Sequence, residues 1–303
     1  MITKPRIESK ELRILRTLDR RMNLTHKEKQ HYLNLEKGFE GEQKFDELLA
    51  KLSKELLILK NLTLEKNNTT FQIDTLLFSQ QTIYLFEVKN YEGDYYIEGE
   101  KWFSSTENEI KNPLLQLKRS ESLFRRSLQD LGHHFTVEPY LVFINPEFSL
   151  FQASRNLPII LSSQLNRFLK KLDAVTRAPQ ERHRNCASQL LSADLEETPY
   201  SRLPSYNYEQ LKRGFICSSC RSFDVFYLKN VLICDECGHK ETIESAILRS
   251  TEEYSLLFPE RKITTKAIHD WCGLFKTKKP VLRTLSSNYK VMGCGKSSYF
   301  LPS

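Results

Sequence analysis

The chain of 303 residues contains no apolar run of 18 residues, so no helix of it is expected to cross a membrane, and no membrane partner is expected. Its first twenty residues, Met1 to Arg20, are charged throughout. They lack the apolar stretch of a secretory signal and do not read as an export sequence. Acid is scarce at the other end: from Arg261 to Ser303 there are nine Lys/Arg and a single acidic residue, Asp270. So little negative charge suits a polyanionic partner, although surplus lysine also serves solubility. Disulfide chemistry is not suggested. Of seven cysteines, four form two Cys-x-x-Cys pairs, a pattern of metal binding in a reducing compartment. A cytoplasmic location is the corresponding expectation.

What is present is ordinary globular composition, 40% hydrophobic and 27% charged with a formal net charge of +7, on a chain long enough for two domains or one with appendages. Residues 1–35 read as a basic helical lead-in, with Leu12, Leu15 and Leu18 at helical spacing among Arg13, Arg16, Arg20 and Arg21. Residues 36–172 read as an α/β domain. Its first helix carries Phe45, Leu48, Leu49 and Leu52 on one stripe, with Gly38 and Gly41 one turn apart, where another backbone or a substrate could come close. A meander of three strands ends at Val88, and a hairpin fits residues 91–102. Asn112-Pro113 then opens a helix. Strands follow at 137–144 and 157–161, then a helix begun by Ser162. The order predicts a mixed sheet with helices on its faces. Residues 173–210, with Pro179, Pro199 and Pro204 and no clear period, read as a linker holding one helix at 182–191. Residues 211–248 hold the paired cysteines, and residues 249–303 form a basic terminal module.

The chemistry concentrates at Asp74 and at Glu87-Val88-Lys89. Side chains alternate along a strand, so Glu87 and Lys89 share a face and Val88 takes the other. Two carboxylates and an ammonium then meet at the end of a hairpin. Charges beside apolar runs need compensation. A divalent cation with oxygen ligands would supply it, and so would an ion pair between Lys89 and either acid.

Taken together, Gly38-x-x-Gly41-Glu42, Ile73-Asp74, Glu87-Val88-Lys89-x-Tyr91-x-Gly93, Trp102 and Asn112-Pro113-x-x-Gln116 resemble the NERD family, the nuclease-related domain, over roughly residues 30–150. That family is similar to the PD-(D/E)xK nuclease superfamily. The resemblance implies a restriction-endonuclease-like core in residues 36–172, with Asp74 and Glu87 on Mg²⁺ or Mn²⁺ and Lys89 assisting the attacking water. Glu42 matches an acid of the first helix that often joins the metal site, and Gln116 a glutamine found near the site. The superfamily's proline before the aspartate is replaced by Ile73.

Cys217-x-x-Cys220 and Cys234-x-x-Cys237 flank two short apolar segments with Lys229-Asn230 as the turn. Four thiolates in two knuckles fit tetrahedral Zn²⁺ in a zinc ribbon, and a closed four-ligand set makes that zinc structural. Cys186, Cys272 and Cys294 read as buried or free thiols. In residues 249–303, Thr264-Thr265 starts a short helix and Gly273 turns the chain. A second helix over about 278–286 is expected to place Val281, Leu282 and Leu285 inward. Residues 289–292 and 298–301 bracket a hairpin. This is loosely similar to a winged helix, with Lys278, Lys279, Arg283 and Lys296 as candidate nucleic-acid contacts; the alternative is a small basic α/β tail that packs against the ribbon. Gly295-Lys296-Ser297 is not a P-loop, because Lys290 stands where its first glycine would fall. The expected function is a Mg²⁺- or Mn²⁺-dependent deoxyribonuclease whose ribbon and basic module hold DNA. The alternative is a non-catalytic nucleic-acid- or protein-binding protein on a degenerate nuclease fold.

Overall fold

The computed structural model describes residues 4–52, 55–195, 202–295 and 298–302. They fall into two units, one of residues 1–9 and 33–201, the other of residues 10–32 and 202–303. Charge divides between them: the first has 22 Lys/Arg against 25 Asp/Glu, the second 23 against 13. The basic surplus of the whole chain therefore belongs to the second unit.

In the first unit a leucine-rich alternating run makes β1 (Leu57–Lys66), and runs richer in β-branched and aromatic residues make β2 (Thr69–Ser79) and β3 (Thr82–Lys89), an antiparallel meander. β4 (Gly93–Glu98), β5 (Lys101–Ser104) and β6 (Glu109–Ile110) follow, then β7 (Thr136–Phe143), β8 (Phe148–Phe151) and β9 (Ile159–Ile160). The main sheet has the order β1-β2-β3-β7-β9, with β7 and β9 parallel to β3. A smaller sheet has the order β6-β5-β4-β8. Of these strands, β6 and β8 were not expected, and β9 is shorter than 157–161. They are two to four residues long, too short for alternation to register.

Helices cover both faces of the main sheet. Phe45 and Leu49 of the helix His26–Leu49 pack with Val88 and Val142, as do Leu165 and Leu169 of the helix Ser162–Val175. On the other face, Leu117, Phe124 and Leu128 of the helix Pro113–Asp130 join Leu85 and Leu141. So do Cys186, Ala187 and Leu190 of the helix Glu181–Ser192, all 0% exposed. In chain order, with Lys10–Arg21 as α1, these helices are α2 (His26–Leu49), α3 (Pro113–Asp130), α4 (Ser162–Val175) and α5 (Glu181–Ser192). The mixed sheet with helices on its faces is thus as expected.

The helix expected at 182–191 is present as α5, but residues 173–195 are not a linker. Helix α5 is part of the core, and the Leu195 N–H bonds to the Thr63 carbonyl at 2.9 Å. Its inward stripe consists of His183, two small residues, Cys186 and Ala187, and one leucine, Leu190. That stripe gives a weaker periodic signal than the leucine-rich helices around it.

The second unit holds α1, β10 (Val225–Leu228), β11 (Val231–Cys234), β12 (Lys240–Thr242), α6 (Ile243–Leu257), α7 (Thr265–Cys272), α8 (Lys279–Asn288), β13 (Tyr289–Met292) and β14 (Tyr299–Pro302). Ile14 and Leu18 of α1 share a core with Leu232, Ile247, Trp271 and Leu285. Arg21, one of the arginines around the leucine stripe of α1, is 1% exposed. Its guanidinium pairs with Glu253 at 2.6 Å, donates to the carbonyls of Lys212 and Gly214, and lies 4.1 Å over the Trp271 ring. A buried cation is tolerated when paired and hydrogen-bonded in this way. The lead-in helix is therefore built into this unit's core.

Candidate active site and metal centre

Strand β3 brings Glu87 and Lys89 out on the α3 side of the main sheet. Helix α3 starts where Asn112 Oδ1 accepts the Leu114 N–H at 2.9 Å, with Pro113 in the first turn. That start fixes Gln116 beside the strand end. The Lys89 ammonium donates to Glu87 Oε1 at 2.8 Å and to Gln116 Oε1 at 3.1 Å, while Gln116 Nε2 donates to the same Glu87 oxygen. Trp102, 1% exposed, stacks on Phe143 with ring centroids 6.0 Å apart, and Phe143 is the strand partner of Lys89. The tryptophan of the motif thus supports the strand that carries the lysine.

Asp74 lies on β2 where the strand pair is distorted: Asn61, between the β1 residues that pair with Ile73 and Thr75, has φ +51°. Asp74 Oδ2 accepts the Val88 N–H at 2.8 Å. Glu42 comes from α2. Its neighbour Gly41 faces Asn90, where a Cβ would stand 2.6 Å from Asn90 Cβ and 3.2 Å from Ile144 Cγ2. Close backbone approach is therefore required at Gly41. Gly38, expected to share that role, has nothing within 4 Å of its Cβ position. Gly41→Ala is expected to cost about 2 kcal/mol by overpacking, whereas Gly38→Ala gains up to about 1 kcal/mol of helix propensity. Urea unfolding of the two variants checks the contrast, and equal midpoints would refute it.

A residue the sequence did not mark completes this site. Arg6, its side chain 3% exposed, bonds to Asp46 through Nε at 2.9 Å and Nη2 at 3.2 Å. Its Nη2 also donates to the Asp74 carbonyl at 3.0 Å and Thr75 Oγ1 at 3.1 Å, and its Nη1 donates to Glu42. Lys60 adds a second cation 3.3 Å from Asp46. Nothing in Lys4-Pro5-Arg6-Ile7 announces this role. Glu42 and Asp46, four apart on one helical face beside buried Phe45, were the available signal, since such a pair needs a counter-charge.

The electrostatics are strained. Burial, then Asp74, push Glu42 up to about 8 against the pull of Arg6. Burial and Asp74 likewise push Glu87 up to about 7, with Lys89 and Gln116 opposing. Burial works to lower the Lys89 ammonium, but the carboxylates of Glu87 and Asp74 outweigh it, and its pKa is raised. Both means of compensation read from the sequence are therefore relevant: Lys89 does pair with Glu87, and buried carboxylates remain in excess over nearby cations. An all-oxygen donor set of this kind fits a hard divalent ion. Among the described residues, however, only the four cysteines gather three or more ligand atoms within 4.8 Å of one another. Glu42, Asp74 and Glu87 would have to draw together to share an ion.

The cysteine cluster sits in two matched knuckles. The Arg221 N–H bonds to the Cys217 carbonyl at 3.1 Å and the Gly238 N–H to the Cys234 carbonyl at 3.0 Å. Arg221 (φ +63°) and Gly238 (φ +69°) take the same left-handed turn. Cys217 Sγ and Cys237 Sγ are 3.6 Å apart, Cys220 Sγ and Cys234 Sγ 3.5 Å. Sulfurs about 2.3 Å from a tetrahedral zinc would be about 3.8 Å apart, so the cluster is the right size. The backbone N–H of His239 draws the Cys237 thiol down to about 7. β10, β11 and β12 form a small antiparallel sheet, and with the four cysteines it is compatible with a zinc ribbon.

Downstream, Thr264 caps α7 by accepting the Ala267 N–H at 3.1 Å, and Gly273 ends it at φ +64°. α8 follows, then the antiparallel hairpin β13–β14, and Ile263 bridges to Phe300. The order helix, turn, helix, hairpin is the one expected. Lys278, Lys279 and Arg283 are exposed; Lys296 lies outside the described residues. One expectation is corrected. Leu282 is 49% exposed, and Thr284 takes the inward position beside Val281 and Leu285. The helix starts at Lys279, and its 3.6-residue period leaves Leu282 on the basic face.

No curated protein and no solved structure matches the chain. Residues 37–144, the segment that carries Glu42, Asp74, Glu87, Lys89 and Gln116, match the model of the NERD family, the nuclease-related domain.

Proposed function

We propose that this chain is a metal-dependent nuclease that hydrolyses DNA phosphodiesters, with the zinc ribbon and basic C-terminal module holding the substrate. The observation that carries the reading is the Glu87–Lys89–Gln116 network beside Asp74, inside a nuclease-related segment. Asp74 and Glu87, with Glu42 in support, would hold Mg²⁺ or Mn²⁺, which supplies positive charge to polarise a phosphate and acidify a water. Gln116 and Glu87 fix the Lys89 ammonium, so that its charge is aimed before substrate arrives. Lys89 then steadies the attacking water and the charge that grows on the phosphate oxygens. Asp74, tied to the Val88 N–H, keeps its carboxylate at the strand end.

The second unit's excess of cations supports a polyanion partner. On α8, Lys279 and Arg283 flank exposed Leu282, a surface that suits phosphates on either side of a groove and a base methyl between them. Four thiolates from Cys217, Cys220, Cys234 and Cys237 would close around structural zinc, with no open position for catalysis.

The test is cleavage by the purified chain of linear, circular and single-stranded DNA and of RNA, with Mg²⁺, with Mn²⁺ and with neither. Metal-dependent nicking or degradation of DNA is the expected result, and intact DNA in every lane refutes it. One observation favours a second reading, a binding protein on a degenerate nuclease fold: Lys89 and Arg6 already pair with Glu87 and Glu42. That reading expects salt-sensitive DNA binding without cleavage. Calorimetric titration with Mn²⁺ separates the two. A binding signal lost in Asp74→Ala supports the nuclease, and no signal in the wild-type chain supports the scaffold.

A further inference from the structure

Arg6 lies outside the family match, yet its side chain reaches two acids of α2 and the backbone of Asp74. Its bonds are unequal in kind. Nε and Nη2 form a two-point contact with Asp46, and Nη2 also serves the Asp74 carbonyl and Thr75. Only Nη1 serves Glu42. Breaking that one bond leaves four others in place, so Arg6 can stay fixed while Glu42 turns away. Glu42 is also one of the acids that do not close on a common point with Asp74 and Glu87.

We propose that Arg6 is a positioning residue that competes with a divalent cation for Glu42: its guanidinium holds Glu42 in the metal-free site, and cation binding takes Glu42 over while Asp46 retains Arg6. This rests on the reading of the carboxylates as a cation site. The competition follows from charge and geometry. A guanidinium beside Glu42 stands in for part of the cation's charge, and it repels a second positive charge brought to the same carboxylate. Removing it leaves the acids in larger excess, which raises affinity for the ion and lowers stability without it.

The experiment is Mn²⁺ affinity of the full chain by calorimetry and electron paramagnetic resonance at one pH, with thermal unfolding with and without the ion. Arg6→Gln is expected to bind Mn²⁺ about tenfold more tightly than wild type or better. Its melting temperature should fall without metal and recover more on Mn²⁺ addition than wild type does. Arg6→Lys, which keeps the charge, should bind within about threefold of wild type. A purely structural arginine gives the opposite order, and folded Arg6→Gln with equal or weaker affinity overturns the proposal.

A measurement on the wild-type chain does not depend on any variant's folding. In arginine-labelled protein, Mg²⁺ is expected to shift the Arg6 Nη1 resonances and leave the Nε resonance protected. Bound Mg²⁺ with neither signal changed also overturns the proposal. If wild type binds no Mn²⁺ and Glu87→Gln behaves identically, the cation-site reading falls and the proposal falls with it, an outcome distinct from binding without competition.

Discussion

Lys89→Met is expected to lower the turnover of metal-dependent DNA cleavage by about a thousandfold or more while leaving DNA affinity within about twofold. Methionine is close to lysine in length and removes the charge and all three donors. What it removes is specific, because the ammonium of Lys89 makes two bonds, to Glu87 and Gln116, at the end of β3. Glu87 is 1% exposed. In the variant its carboxylate keeps only the Gln116 donor, and a buried charge stripped of its partner costs about 3–5 kcal/mol. Loss of activity must therefore be separated from loss of fold. Added Mn²⁺ supplies counter-charge to Glu87, so it should raise the melting temperature of Lys89→Met more than that of wild type. A folded variant that binds Mn²⁺ and DNA and fails to cut places the role of Lys89 in the transition state. Cleavage at the wild-type rate would sink that assignment, and the nuclease reading would lose its central residue. Single-turnover kinetics with saturating DNA, alongside circular dichroism, make the distinction.

The same residues show what the sequence made legible. Strand alternation put Glu87 with Lys89 and turned Val88 away, and the structure has Val88 in the α2 core and Lys89 on Gln116. The cap Asn112-Pro113 located α3 to the residue, because Asn and Pro act locally. The two cysteine knuckles were legible for the same reason: their spacing is short and their turns repeat. Contacts over long sequence separations were not legible. Arg6 meets Thr75 across 69 positions and Arg21 meets Glu253 across 232, and an arginine looks the same in sequence whether it faces water or a buried acid. Helix α5 was expected at 182–191 but as part of a linker, since an inward face of His183, Cys186, Ala187 and Leu190 buries area without a strong hydrophobic period. Leu282 failed in the reverse direction. A leucine in a short helix was assumed to point inward, and it is exposed on the basic face of α8.

Replacing Cys234 by serine is expected to abolish zinc retention and to unfold the ribbon while the main sheet of the first unit stays protected. The ribbon's strands are four, four and three residues long. Of its own apolar residues, Leu232 is buried, whereas Phe226 and Leu228 are 40% and 53% exposed. A sheet this small, with so little core of its own, does not hold without a staple. A structural zinc contributes on the order of 10–16 kcal/mol of binding energy coupled to folding, far more than these contacts supply. Cys234 is 2% exposed and its sulfur lies 3.5 Å from that of Cys220, so serine there leaves three ligands and an unsatisfied buried hydroxyl. Elemental analysis should give one zinc per chain in wild type and none in the variant. Amide exchange should become fast over residues 225–242 and remain slow in β1, β2 and β3. If this unit holds the substrate, KM for DNA rises about tenfold or more while turnover at saturating DNA changes little, because the carboxylate site belongs to the other unit. A ribbon that stays protected without zinc would refute the structural role of the metal. An unchanged KM with the ribbon unfolded would instead remove the ribbon from substrate binding and leave that task to α8 and its neighbours.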